Sequence, residues 1–386
     1  MSWKPLLSLS LGAAALLPAT TALADDFVLD LAELNVSLGE VRNETDKGID
    51  NKYVVRVKGT VIGATARPDR VVVDWKAGGK TLATVECDAD ASDGYAGFEC
   101  IGNEASALDT YGPVEAVVSY VDDSEDQTHV LHTMNLEVGR FWNWYQRGKK
   151  TLHYPKYQVV PADLLGSAIV WHRPENGEPD NPRLEFFTWS VHGEGNELEG
   201  ETLRCSVDGK KLGDFPASGG GELSAETIEW LDVNGPKREL HWYRHRIGLG
   251  GVLAGKAATL RREYGKYGPA PVMLGDHPGA WSCDWRGRGK VLRTFAFVVG
   301  ADGRVQPHAE QKAGLVLPTS EAMVDVVLPA EVPDLAFDPK PLTAGGFYGR
   351  PWKAAGTVTA MKLPKAKGAF VQAPPKGAKG GKPAKK

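Results

Sequence analysis

The chain has 386 residues, of which 42% are apolar, with 45 glycines and 25 prolines and a formal charge of −4. That length excludes a single small domain and suits two or three at about 100 to 200 residues each, with many turns between short segments. The charge is uneven: residues 362–386 carry eight lysines and no acid, so the acidic excess belongs to the rest of the chain.

Residues 1–24 read as a secretory signal. Lys4 supplies the positive start, Leu6 to Leu17 an apolar run broken by Ser8, Ser10 and Gly12, and Ala22-Leu23-Ala24 a small-x-small cleavage site before Asp25. The apolar run is shorter than the roughly 20 residues that span a bilayer, and no later segment reaches that length without charges. The expectation is an exported protein, periplasmic or extracellular, with no transmembrane segment and a mature start at Asp25.

Period-two patterns dominate residues 25–140. Val55, Val57, Gly59 and Val61 alternate with Val54, Arg56, Lys58 and Thr60, and Val71, Val73 and Trp75 with Val72, Asp74 and Lys76; Ala116, Val118 and Tyr120 alternate within one later run, and Val130, His132, Met134, Leu136 and Val138 line one face of another. Asp122 to Asp126 reads as the hairpin loop between the last two runs. His132, on an apolar face, reads as a core histidine. Closely spaced strands without a helical period predict an antiparallel sandwich.

Residues 141–166 read as an aromatic and basic linker, opening with Phe141-Trp142-Asn143-Trp144-Tyr145. A second block, 167–312, repeats the grammar of the first. Val73 to Leu82 aligns with Leu203 to Leu212, each a strand entering a Gly-Lys turn and leaving through leucine, and the alignment sets Trp75 against Cys205. The fold class predicted is mainly β: tandem antiparallel β-sandwiches of immunoglobulin-like architecture, with a small helical insert at 221–270 in the second. In that insert Ser224 caps a helix through Val233, and a second helix runs from Lys256 to Tyr264. Val291 to Val299 and Arg304 to His308 form a hairpin around Gly300-Ala301-Asp302-Gly303. Residues 313–361 read as an extended proline-rich connector and 362–386 as a disordered tail with little to bury.

Four cysteines follow the signal, and an oxidising compartment makes two bridges the default. We expect Cys87–Cys100, closing a hairpin, and Cys205–Cys283, an inter-sheet bridge; zinc is disfavoured because no CxxC pair or clustered histidine accompanies them. The sharpest candidate site is Asp88, Asp90, Ser92 and Glu99, at positions 1, 3, 5 and 12 of a Ca²⁺-loop spacing whose glycine is one place late. The competing reading is a solvated acidic hairpin. Trp142, Trp144 and Tyr145 offer aromatic faces for a sugar or ligand, against packing between the blocks. His241 and His245, four apart, suggest Zn²⁺ or acid-base chemistry, without a third ligand in view.

No GxSxG elbow, P-loop or dinucleotide fingerprint is present. The function predicted is therefore non-enzymatic and cofactor-free, in binding or as an envelope or extracellular component, with a protein or polysaccharide partner. A Ca²⁺-dependent or carbohydrate-binding module and a hydrolase with a dispersed site are the alternatives. The basic tail is expected to touch anionic polymers through charge alone. Asn35-Val36-Ser37 and Asn43-Glu44-Thr45 match the N-glycosylation pattern, relevant in a eukaryotic host.

Overall fold

The computed structural model describes residues 27–45, 48–63, 70–92, 95–122, 126–159, 167–174, 182–192, 200–231, 237–255, 271–308, 321–327, 346–347 and 350–351. The expected leader, the lysine-rich tail and the helix expected from Lys256 to Tyr264 lie outside the described residues.

The first sheet contains β1 (Phe27–Leu29), β2 (Asn35–Thr45), β3 (Gly48–Gly63), β4 (Arg70–Ala77), β5 (Lys80–Ser92), β6 (Tyr95–Ile101), β7 (Gly112–Asp122), β8 (Gln127–Arg147) and β9 (Lys150–Val159). The second contains β10 (Ser167–Pro174), β11 (Pro182–His192), β12 (Thr202–Val207), β13 (Lys210–Leu231), β14 (Lys237–Leu253), β15 (Val272–Met273), β16 (Gly279–Gly287), β17 (Lys290–Val299) and β18 (Glu321–Val327). A two-strand ribbon, β19 (Gly346–Phe347) with β20 (Arg350–Pro351), follows.

Across the first sheet the order is β2-β3-β6-β5-β4-β7-β8-β9, with β1 continuing the β2 edge along β3. Across the second it is β10-β11-β14-β13-β12-β16-β17-β18, and β18 pairs back onto β10. Counted from β2 and from β10, leaving out the short β15, both sheets run first, second, fifth, fourth, third, sixth, seventh, eighth. The Gly-Lys alignment falls in register with this order: Trp75 and Cys205 both sit on the third strand, and in each case a β-bulge follows at the next residue. The turns that follow, Gly78-Gly79 and Asp208-Gly209, have positive φ at both residues, as does Arg288-Gly289 between β16 and β17. Such two-residue turns match the twist of the strands they join.

Several expectations give way here. The second sheet closes on itself into an eight-strand barrel, so the immunoglobulin-like pair of facing sheets is not its arrangement. The Cys205–Cys283 bridge accordingly joins neighbouring strands of one sheet, β12 and β16, and spans no gap between sheets. The helix expected from Ser224 is strand: Ala225 to Leu231 pair residue by residue with Tyr243 to Lys237. Helix propensity is a weak prior, and a long cross-strand ladder with β-branched Thr227 and Ile228 outweighs a single capping serine. The opening of the expected linker continues β8 to Arg147 and turns back as β9. The proline-rich connector supplies β18, the strand that closes the barrel. Val130 is 62% exposed, because a bulge between Val118 and Ser119 flips its side from that of His132, which is buried.

Inward positions are filled by large apolar side chains. Trp75, Tyr53, Phe98 and Met134 occupy the first sheet's inner face, and Trp281, Trp285, Phe186 and Phe295 that of the barrel. Phe186 stacks on Phe295 with centroids 4.5 Å apart, and Trp281 on Phe297 at 5.8 Å. Charged pairs such as Arg204–Asp214 lie outside. This is the reverse of a lipid-facing barrel, which is apolar outside and polar within.

The first sheet curls far enough to bring β9 against β2 and β3, but side chains make that seam. Asn51 Nδ2 donates to the Pro155 carbonyl at 2.7 Å, Tyr53 meets Tyr157 at 5.3 Å, Arg42 lies over the Tyr154 ring, and Arg147 donates to the Thr45 carbonyl. The two sheets meet along β8 and β13 and at the turn after β1, where Arg244 of β14 donates to the Ala32 and Leu34 carbonyls. Leu31, Ala32 and Leu34 are buried there, and Ile169, Phe187, Trp189 and Met323 are buried members of the same hydrophobic cluster.

Candidate functional site

Strand periodicity decides where the acidic hairpin presents its oxygens. β5 and β6 pair Asp88 with Glu99, Asp90 with Gly97 and Ser92 with Tyr95, so all four expected Ca²⁺ ligands occupy register positions of one face. Alternate residues of an extended strand stand roughly 6.6 Å apart, a spread-out row quite unlike the curled loop of an EF-hand. Asp88 is exposed, and Glu99 pairs with Lys58 at 2.6 Å; the side chains of Asp90 and Ser92 lie outside the described set. Among the described residues no three His, Cys, Asp or Glu converge as a ready metal cage.

That row borders an open cleft of about 480 Å³ lined by Glu33, Lys58, Thr60, Asp88, Phe98 and Glu99, with Gly59, Ala89 and Gly97 as its floor. Thr60 Oγ1 donates to Glu33 Oε2 at 3.0 Å, fixing one wall. Gly59 is required where it stands, since a Cβ there would come 2.7 Å from the Phe98 ring. Three carboxylates against one ammonium leave the cleft net negative, and no histidine lines it.

The aromatic segment does not divide by strand alternation: Phe141, Trp142 and Asn143 are buried in succession, and Trp144, which shares the strand face of Trp142, comes out into solvent. Phe141 and Trp142 are both buried, while Trp144 is 43% exposed beside His153 of β9. Trp142 is therefore core and leaves the expected stacking platform; Trp144 alone of the described pair presents a surface, and the Tyr145 side chain lies outside the described residues. His245 is also inside: it is 4% exposed, with its ring 5.2 Å from that of Trp285. Of the two histidines read as candidates for Zn²⁺ or acid-base chemistry, His245 thus faces the interior, and the His241 side chain is outside the described residues.

Three polar features escaped the sequence reading. Arg293, next to Phe295 and Phe297 in an alternating strand, is buried and donates to the Leu292 carbonyl at 2.7 Å and the Trp189 carbonyl at 3.3 Å; burial alone lowers its pKa to about 10. A charged residue at an inward position of an apolar run was the available signal. Glu201 accepts from Trp285 Nε1 at 2.9 Å, and burial raises its pKa. Asp30 caps the turn after β1, its Oδ1 accepting from the backbone N–H of Ala32 at 2.9 Å and Glu33 at 3.1 Å. On the surface, hydrogen bonds from Arg204 and Lys211 hold Asp214 down to about 2. Deep in the first sheet, burial pushes Tyr157 up to about 12.

Both disulfides are formed, Cys87 to Cys100 and Cys205 to Cys283, each between directly opposed residues of neighbouring strands with Cα atoms 4.0 Å and 4.1 Å apart. Among the described residues no helix is long and apolar enough to cross a membrane. Compared with family profiles, with curated proteins and with solved structures, the chain matches none.

Proposed function

We propose that this is an exported, non-catalytic binding or envelope protein of two related β units. The observation that carries the reading is the pair of disulfides set into units whose interiors are packed with aromatic side chains. Among the described residues those interiors are filled by apolar side chains, and disulfides persist in an oxidising compartment. The leader-like residues 1–24 support the same compartment. Recognition then falls to the outer surface, where Trp144 and the cleft beside Glu33 present the available chemistry. In a host that recognises the leader, the expected product is an exported chain beginning at Asp25 whose mass shows all four cysteines oxidised. A full-length, thiol-reactive chain retained in the cytoplasm overturns the proposal.

A second reading is weak Ca²⁺ binding at Asp88, Asp90, Ser92 and Glu99, favoured by their shared face on the β5–β6 hairpin. A ligand that binds only the folded state raises the unfolding midpoint by mass action. Millimolar Ca²⁺ is expected to raise the midpoint of the oxidised protein relative to EDTA, and Asp90→Ala to abolish the shift. Identical midpoints in Ca²⁺ and EDTA remove this reading and leave the first untouched.

A further inference from the structure

The barrel interior changes character one layer away from its aromatic middle. Phe186 of β11 and Phe295 of β17 stack across the ring, with β10 and β18 lying between those two strands. One strand repeat further, toward the end where β10, β12 and β17 begin, the same inward places are taken by Thr188 and Arg293, both buried. Arg293 reaches over the gap: its Nη2 donates to the Trp189 carbonyl at 3.3 Å, beside Thr188, while Nη1 donates to the Leu292 carbonyl at 2.7 Å. Strand register completes the layer. His245 stands opposite Thr188, Trp285 stands opposite Arg293, and the His245 and Trp285 rings lie 5.2 Å apart.

A guanidinium in this place lacks both a counter-charge and an acceptor. Arg293 is 6% exposed and stays a cation at neutral pH, since burial lowers its pKa only to about 10. Among the described residues it pairs with no acid, and its Nε has no hydrogen-bond partner. Glu201, the acid at this end of the barrel, accepts from Trp285 Nε1 at 2.9 Å, and burial raises its pKa. The two carbonyls that Arg293 does touch are neutral. Buried charges are ordinarily paired and buried donors bonded, because taking either out of water without a partner is costly.

We propose that this end of the barrel binds an oxyanion, either an organic carboxylate or inorganic phosphate or sulfate, on the Nε edge of Arg293. The guanidinium fork presents N–H groups to two oxygens of such a group at once, which a point charge does not. Two backbone carbonyls already hold the fork in position, so little side-chain freedom is lost on binding. The Phe186 and Phe295 rings form an apolar floor, and an ion pair over such a floor is weakly screened. Thr188 and His245 place a hydroxyl and an imidazole in the same layer, polar neighbours for the remaining oxygens.

Isothermal titration of the full oxidised chain with phosphate, sulfate and acetate near neutral pH, in chloride of matched ionic strength, tests this. Saturable binding of a single equivalent is expected for at least one of them, and acetate against the other two separates a carboxylate from an inorganic ion. Arg293→Met, which fills a similar volume without charge, is expected to weaken that binding by about 10- to 100-fold, the range for hydrogen bonds to a charged group. Replacing a buried ion by an apolar side chain of like volume commonly preserves stability. If that variant does not fold, Arg293→Lys keeps the charge and loses the fork, and a loss of about tenfold is expected. Whatever the lysines of residues 362–386 contribute by charge alone is the same in wild-type and substituted chains. No saturable binding of any of the three anions, or equal affinity in the wild-type and substituted chains, overturns the proposal.

Discussion

Replacing Cys205 and Cys283 together by alanine is expected to lower the unfolding free energy by about 4.5 kcal/mol, against about 3 kcal/mol for the Cys87 and Cys100 pair, on loop-closure entropy. The difference follows from the separations, 78 residues for the first bridge and 13 for the second. A bridge across the longer loop removes more freedom from the unfolded chain. Packing acts in the same direction: Cys205 and Cys283 are both fully buried in the barrel, whereas Cys87 is half-buried. Urea unfolding of the two double variants under identical oxidising conditions reads the contrast directly. If removing the short bridge proved the costlier change, the stability of the barrel would have to reside in its ladders and aromatic core.

Trp75→Ala is expected to cost about 3 to 5 kcal/mol, the range for deleting a large aromatic side chain from a packed interior. The side chain is fully buried, and its residue stands opposite Ala116 on β7, so nothing bulky lies across from it to fill the space. The corresponding residue of the barrel is Cys205, opposite Cys283. The two units thus pin their third strand to their sixth in different ways at the same bulge, one with volume and the other with a covalent bond. A loss below 1 kcal/mol in chemical unfolding would show that the first sheet's core rearranges around the gap.

The period-two runs at Val55, Val71 and Ala116 announced strands, and the Gly-Lys turns announced their hairpins, because both signals are local. Those strands and both cysteine pairings stand in the structure. What the chain does not display locally is closure. Whether eight strands lie as two facing sheets or as one ring depends on β18 meeting β10 across about 150 residues, and β18 is a short run inside a proline-rich stretch. Ser224 misled for a related reason, since its capping signature is local and the ladder to β14 that overrides it is not. The site was legible as composition, with acids at 88, 90 and 99, but strand register set their spacing.

The side-chain seam of the first sheet has a bearing on how the protein keeps to itself. A ring closed by backbone hydrogen bonds offers a stranger's strand nothing to extend, and the barrel is so protected. The first sheet keeps two bare margins, β2 and β9, facing one another across Asn51 and Tyr53. Pro155 interrupts the donors of β9, and Lys150 and Lys156 set positive charge along it. Proline and lysine on an exposed margin are devices against templated growth into fibres. The unit can therefore breathe at its seam without offering a second molecule a margin it could extend.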